Sequence, residues 1–298
     1  MSLTINHNLL AANTARNLSS SYSSLSTSTE RLSSGLRVNT AADDAAGLAV
    51  REIMRAEIAS LNQGVRNAND AISMIQTADG ALGVIDEKLI RMKELAMQAS
   101  TGTYSSDQRL IIDSEYQAMA SEITRIASAT DFNGIHLLNG NLSGASSTHN
   151  GSGLQASGPM KVHFGTSNDS SEDYYYVSID TATASALGVG LSATGSDGKS
   201  ISTQELAQKA LAQLDKAIIS KDKIRANLGA LQNRLENTIT NLSIQSENTS
   251  AAESQISDVD VATEMTEFTR QQIKVQTAVA MLSQANNLGK LALQLIGG

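Results

Sequence analysis

Four histidines, His7, His136, His149 and His163, are the side chains best suited to holding a metal or moving a proton. A paired-histidine zinc site places its ligands one helical turn apart. No two of these are so spaced, and they read as surface or packing residues. The chain has no cysteine, which excludes thiolate ligands, disulfides and cysteine nucleophiles. Asp258-Val259-Asp260, with Glu264 beyond, has the carboxylate density of a calcium loop but lacks the glycine that makes its sharp turn. These acids read as helix caps. Gly188-Val189-Gly190 is too short for a dinucleotide-binding turn and has no strand–helix frame around it. Asn141-Leu142-Ser143, Asn150-Gly151-Ser152 and Asn168-Asp169-Ser170 fit the N-glycosylation acceptor pattern, which is common by chance. No nucleophile, base and orienting group form a constellation, so neither an enzyme nor a metal or cofactor is expected.

Composition points instead to helices that pack on helices. Aromatics make up 3% of the 298 residues, with no Trp and a single Pro, Pro159. Thick globular cores are normally filled by aromatic side chains. Their scarcity favours thin helical packing, and the lack of Pro lets helices run on. A net charge of −8 argues against a nucleic-acid binder and against attachment to an anionic membrane. No apolar run approaches the ~20 residues of a membrane span. The first residues lack the cationic start and apolar core of a cleaved secretory signal, which leaves open export by a machine that reads another feature.

Ala11, Ala15, Leu18, Tyr22, Leu25, Thr29, Leu32 and Leu36 recur in alternating steps of four and three, the seam of a helix lying on another helix. A Ser-, Gly-, Asn- and Asp-rich stretch, Glu30 to Asn39 and then Asp43-Asp44-Ala45-Ala46-Gly47, interrupts it. Gly35 and Asn39 weaken the helix, and Asp43 or Asp44 can cap the next. A second seam runs from Leu61 to Ala99, closed by Ser100-Thr101-Gly102-Thr103. A third, Ile112 to Thr130, follows a cap at Ser106 or Asp107. The short link between them implies an antiparallel hairpin.

Phe132-Asn133-Gly134 signals a turn. Residues 139–158 read as loop, and Met160–Phe164 and Tyr174–Ile179 as two short strands. Helix resumes near Thr203 on a seam from Ala207 to Val259 that includes Lys221. After Asp258 and Asp260 the pattern continues through Met265, Phe268, Val275, Val279 and Leu282. At 1.5 Å per residue such helices reach roughly 80 Å. The expected class is mostly α: an elongated rod of long antiparallel coiled-coil-like helices, with a small β-hairpin region at the tip. Ordering the first helix costs more backbone entropy than burial of its few apolar side chains returns, so the two termini are expected to be disordered alone and to fold on assembly with neighbours.

Several words of this sequence, in order, resemble bacterial flagellin. They are Glu30 to Leu36, Asp43 to Gly47, Arg66 to Asp70, Ala78 to Leu82, Met92 to Ala96, Phe132 to Gly134, Leu228 to Leu235 and Ser283 to Asn286. The resemblance covers roughly residues 1–140 and 200–290. It implies a secreted extracellular subunit that polymerises into the flagellar filament for motility, with the hook–filament junction protein as the alternative. Implied partners are further copies of the chain in a helical homopolymer, an export chaperone, the filament cap and hook-associated proteins. Neither nucleic acid nor membrane insertion is implied.

It further implies residues 1–43 and 256–298 as helices of the inner core, and 44–140 and 203–255 as the second shell. Residues 141–202 would be a small variable surface region with the β-hairpin. Glu30, Arg31, Leu32, Ser33, Ser34, Gly35, Asn39, Asp43, Asp44 and Gly47 would form the connection between shells. Arg225, Gln232, Asn233 and Arg234, on a facing helix, would serve subunit contact. Arg31 and Arg37 are candidates to pair with Asp43 or Asp44, or with acids of a neighbour. Arg91, Leu95 and Glu115 stand where some flagellins are sensed by a vertebrate Toll-like receptor, although Ile90 replaces a Gln common in strong agonists. Gly289 stands where many flagellins carry Pro.

Overall fold

The computed structural model describes residues 8–143, 158–169, 172–190 and 198–296, with side chains given as far as residue 287. Its elements are α1 (Leu9–Ser34), α2 (Ala45–Ser100), α3 (Ser106–Ala129), β1 (Asp131–Phe132), β2 (Ile135–His136), β3 (Met160–His163), β4 (Tyr174–Val177), α4 (Gln204–Ser257) and α5 (Val261–Ile296). The class is mostly α with a small antiparallel β component, as the seams imply. The chain divides into two compact units, residues 59–246 and residues 1–58 with 247–298.

In the 59–246 unit, α2 lays Leu61, Ile75, Leu82, Ile85, Leu89 and Met92 into a continuous core. From α4 come Ala207, Ala210, Leu214, Ala217, Ile224 and Leu228, and from α3 Tyr116, Ala120, Ile123 and Ala127. Alanine recurs where helices approach closely, so packing is thin and aromatics are little needed. α2 ends at Ser100. The cap of α3 is Ser105, one residue before the expected position: its hydroxyl accepts from Gln108 N–H, and the Gln108 side chain accepts from Ser105 N–H. The Arg109 guanidinium ties the turn by donating to the carbonyls of Ala99 and Thr101.

Three ion pairs mark how the packed seams of α2 and α4 align. Asp79 pairs with Arg225 at 2.6 Å, Asp86 with Lys221 at 2.6 Å and Lys93 with Asp215 at 2.5 Å. As the α2 number rises the α4 number falls, so the helices are antiparallel. Lys221, a charged member of the α4 seam, is 2% exposed and shared by Asp86 and Asp222.

β1 and β2 form a minimal hairpin around Asn133 and Gly134, both at positive φ. β3 pairs with β4, Met160 opposite Val177 and His163 opposite Tyr174. This hairpin lies against α2: Asn67 Nδ2 donates to the His163 carbonyl at 2.8 Å. Gly64 permits that approach, because a Cβ there would sit 2.0 Å from the Phe164 carbonyl oxygen. The Arg234 guanidinium covers the Tyr175 ring from α4 at 3.5 Å.

In the other unit α1 and α5 run antiparallel. Asn8 Nδ2 donates to the Ala285 carbonyl near one end, and Arg31 faces Glu264 near the other. The α4 seam was expected to continue through Val259, but the helix stops at Ser257, and Asp260 caps α5 through the amides of Ala262 and Thr263. The expected helix-cap role of the Asp258–Asp260 acids is met at Asp260. No helix of the described residues is long and apolar enough to cross a membrane.

Candidate assembly surface

The Glu30–Gly47 connection is a closed network of hydrogen bonds. α1 ends because Gly35 takes the left-handed conformation, φ 74°, with its N–H on the Arg31 carbonyl. The Glu30 carboxylate accepts from Asn39 Nδ2 at 2.7 Å, across the turn. Asp43 gathers the amides of Asn39 and Thr40 and the Thr40 hydroxyl. The Thr40 amide and then its hydroxyl hold that carboxyl below the usual range. Asp44 is the cap of α2, accepting from Gly47 N–H at 2.8 Å. The two aspartates therefore have separate tasks, one closing the turn and one starting the helix. Ser34 braces the exit, its hydroxyl accepting from Leu36 N–H, while Leu32 is half-buried and Ser33 exposed beside it.

Neither arginine pairs with these aspartates. Arg31 reaches Glu264 on α5 at 3.8 Å, and Arg37 donates to the Ile256 carbonyl at 2.7 Å. The two helix breaks are also joined through the backbone. Arg37 N–H donates to Ser257 and Val259 N–H donates to Gly35, which sets Leu36 across from Asp258. Arg51 completes the lock, 7% exposed, with Nη1 on the Val38 carbonyl at 2.7 Å. Sequence reasoning missed Arg51, Ile256 and Ser257. Backbone acceptors leave no mark in residue type, and a charged residue in an amphipathic helix is ordinarily solvated.

α1 and α5 leave much apolar surface uncovered. In α1, Ser28 is the buried residue among those described, whereas Leu9, Leu10 and Tyr22 are exposed. On α5, Val261, Met265, Ile273, Val279 and Met281 are exposed; on the first turns of α2, Val50 and Ile53. Hydroxyls of Thr14, Ser24, Thr27 and Thr29 bond back to the carbonyls four residues earlier, a habit that slightly weakens a helix. A weak helix with its apolar stripe open requires partners.

The remaining expected contact residues lie in the 59–246 unit, and all but Asn233 have partners there. Arg225 is held by Asp79, and Gln232 bonds Glu236 one turn on. Arg234 stacks on Tyr175, and Asn233 is exposed. Arg91 bonds Glu115 at 2.8 Å and Glu94 at 2.9 Å. Leu95 is 1% exposed and belongs to the core, so Arg91 and Glu115 are the surface members of that trio.

Family models bring a comparison to these features. Residues 5–143 match the bacterial flagellin N-terminal helical region and residues 211–296 the bacterial flagellin C-terminal helical region. Flagellin FlaB2 of Treponema pallidum is 40% identical over 292 residues, covering 98% of this chain and 99% of the relative. The flagellar filament 33 kDa core protein of Treponema phagedenis is 41% identical over 293 residues, with the same coverage. A flagellin of Halalkalibacterium halodurans is 40% identical over 292 residues, again covering 98% and 99%.

Proposed function

This chain belongs to the bacterial flagellin family, and on that premise we infer that its open α1–α5 pair is the surface through which copies assemble. The protein is a structural subunit of the extracellular flagellar filament. The observation that carries the assembly reading is the exposed apolar series on α1, α5 and the start of α2, led by Leu9 and Ile53, each 69% exposed. A monomer that leaves such a stripe in water gains by burying it against another copy, at about 25 cal/mol per Å² of apolar surface.

The layout expected from the resemblance follows the same logic. Residues 1–43 and 256–298 supply the inner core, and 44–140 and 203–255 the second shell. The Glu30–Gly47 network links them by holding two helix breaks together, so that contact made by the terminal helices is passed on mechanically. Before assembly the same open helices suit capture by an export chaperone, and at the growing end by the filament cap. Hook-associated proteins would meet the first copies. The Arg91–Glu115 pair is the part of the receptor-contact trio available to a Toll-like receptor.

The test is seeded growth. Purified monomer is mixed with short filament seeds and imaged by electron microscopy, beside a variant lacking the first ~30 residues, chosen because an amphipathic helix draws most of its stability from the partners it packs on. Long uniform tubes from the intact chain alone are expected. Discrete oligomers or short stubs from the intact chain would refute free polymerisation and favour a junction role.

A further inference from the structure

Two exposed helix faces outside the terminal pair carry the same pattern with opposite charge. On α2 it is Glu87, Ile90 and Glu94; on α4 it is Lys216, Ile219 and Lys223. Both run i, i+3, i+7, so each places an isoleucine between two like charges about 10.5 Å apart along the helix. Ile90 is 49% exposed and Ile219 55%. Both are large apolar side chains left in water on helices whose other faces are packed. Glu87, Lys216 and Lys223 make no hydrogen bond or ion pair among the described residues, while Glu94 keeps one carboxylate oxygen on Arg91.

We propose that Glu87–Ile90–Glu94 of one copy docks on Lys216–Ile219–Lys223 of a second copy, with the two helices antiparallel. This rests on the filament-subunit reading. The antiparallel sense follows from the fold: α2 and α4 are antiparallel within one chain, so co-aligned copies present α2 of one antiparallel to α4 of the next. Setting Ile90 opposite Ile219 then puts Gly83 opposite Ala226 and Met97 opposite Ala212. The protruding Met97, 55% exposed, thus meets a small residue. In that alignment Glu87 falls within one residue of Lys223, and Glu94 within one residue of Lys216.

The sides of the helices match as well. Successive residues advance about 100° around a helix. Both glutamates therefore lie to one side of Ile90, and both lysines to the corresponding side of Ile219. Antiparallel docking lays these sides over one another. Parallel docking would set the glutamates against Asp215 and Asp222, which their own chain already engages through Lys93 and Lys221. Because the two patches differ and both belong to one chain, each copy uses one patch forwards and the other backwards. Such a contact is heterologous and adds copy to copy, giving an open helical filament when its rotation does not close a ring.

Seeded growth rates read by turbidity and microscopy test this, with circular dichroism confirming that each variant is helical. Glu87→Lys with Glu94→Lys, and separately Lys216→Glu with Lys223→Glu, are expected to slow elongation about tenfold, as two rim attractions become repulsions. The quadruple variant, with both patches reversed, is expected to recover to within about threefold of the unaltered chain. Folded double variants that grow at the unaltered rate would overturn the docking, as would a folded quadruple variant no faster than the doubles. Failure of the unaltered chain to form tubes would instead overturn the filament reading itself.

Discussion

Replacing Gly64 with alanine sets two effects of known size against each other. Alanine is favoured over glycine inside a helix by about 0.8–1 kcal/mol. At Gly64, however, the new Cβ would stand 2.0 Å from the Phe164 carbonyl oxygen and 2.8 Å from its carbon. The obstacle is backbone, and it is pinned: Phe164 N–H donates to Asp173 at 2.9 Å, and its ring packs on Tyr175 with centroids 4.6 Å apart. Relief requires the hairpin to move off α2, an overpacking cost of about 1–3 kcal/mol. The Asn67–His163 hydrogen bond would go with it, about 1 kcal/mol more. The net expectation is a loss of about 1–3 kcal/mol, or about 2–4 °C of melting temperature per kcal/mol for a unit of this size. Gly80 on the same helix is the control, because a Cβ there meets nothing within 4 Å. Gly80→Ala should gain about 0.5–1 kcal/mol. Circular dichroism melts read the stability. Tyrosine emission reads the hairpin, since Tyr174, Tyr175 and Tyr176 are half of the chain's six tyrosines and no tryptophan masks them. A Gly64→Ala chain that melts as high as the unaltered one, with unchanged tyrosine emission, would refute the close approach.

Two further substitutions probe other contacts. Asp44→Ala removes the cap on α2 and should cost about 1 kcal/mol; amide exchange should quicken at residues 45–48 while protection across 75–99 is unchanged. The Arg225 side chain bonded to Asp79 holds that carboxyl below its ordinary range. A carboxyl depressed in the folded state contributes fully above about pH 5 and loses its contribution as pH falls through the folded value. Asp79→Asn should therefore flatten the acid side of the stability profile of residues 59–246, measured as urea midpoints from neutral pH down to about 2. An unchanged acid slope would mean that the Asp79–Arg225 pair adds nothing.

The heptad seams were legible because they express one requirement, the burial of a stripe. On α4 the seam residues Ala207, Ala210, Leu214, Ala217, Ile224, Leu228, Leu235 and Leu242 are all buried. Even Lys221 kept its seam position, since Asp86 and Asp222 supply the charge its burial demands. β3 and β4 were legible from Val, Phe and Tyr content, whereas β1 and β2, two residues each, fall below any periodic signal and show only as Asn133-Gly134. Spacing alone carried the α4 seam past Ser257, because Val259 continues the pattern. At the break, the backbone of Ser257 and Val259 bonds Arg37 and Gly35 instead of continuing the helix, partners more than two hundred residues away in sequence. Likewise Asp43 and Asp44 were legible as caps by type, while their division of labour depended on which amides the turn brought within reach.

Beside the Arg37 side chain on the Ile256 carbonyl, the two helix breaks are joined by two main-chain bonds, the Arg37 amide on Ser257 and the Val259 amide on Gly35, which set Leu36 across from Asp258. Such a clasp is blind to side-chain identity but strict about count. At positions 37 and 259 any residue except proline offers the donor amide, and at 35 and 257 the acceptor is a carbonyl that every residue carries. One residue added to or removed from either break would shift donors against acceptors and unfasten the clasp. At these main-chain donors and acceptors, as distinct from Gly35 and the side chains of Arg37 and Arg51, drift is therefore constrained in length more than in letter.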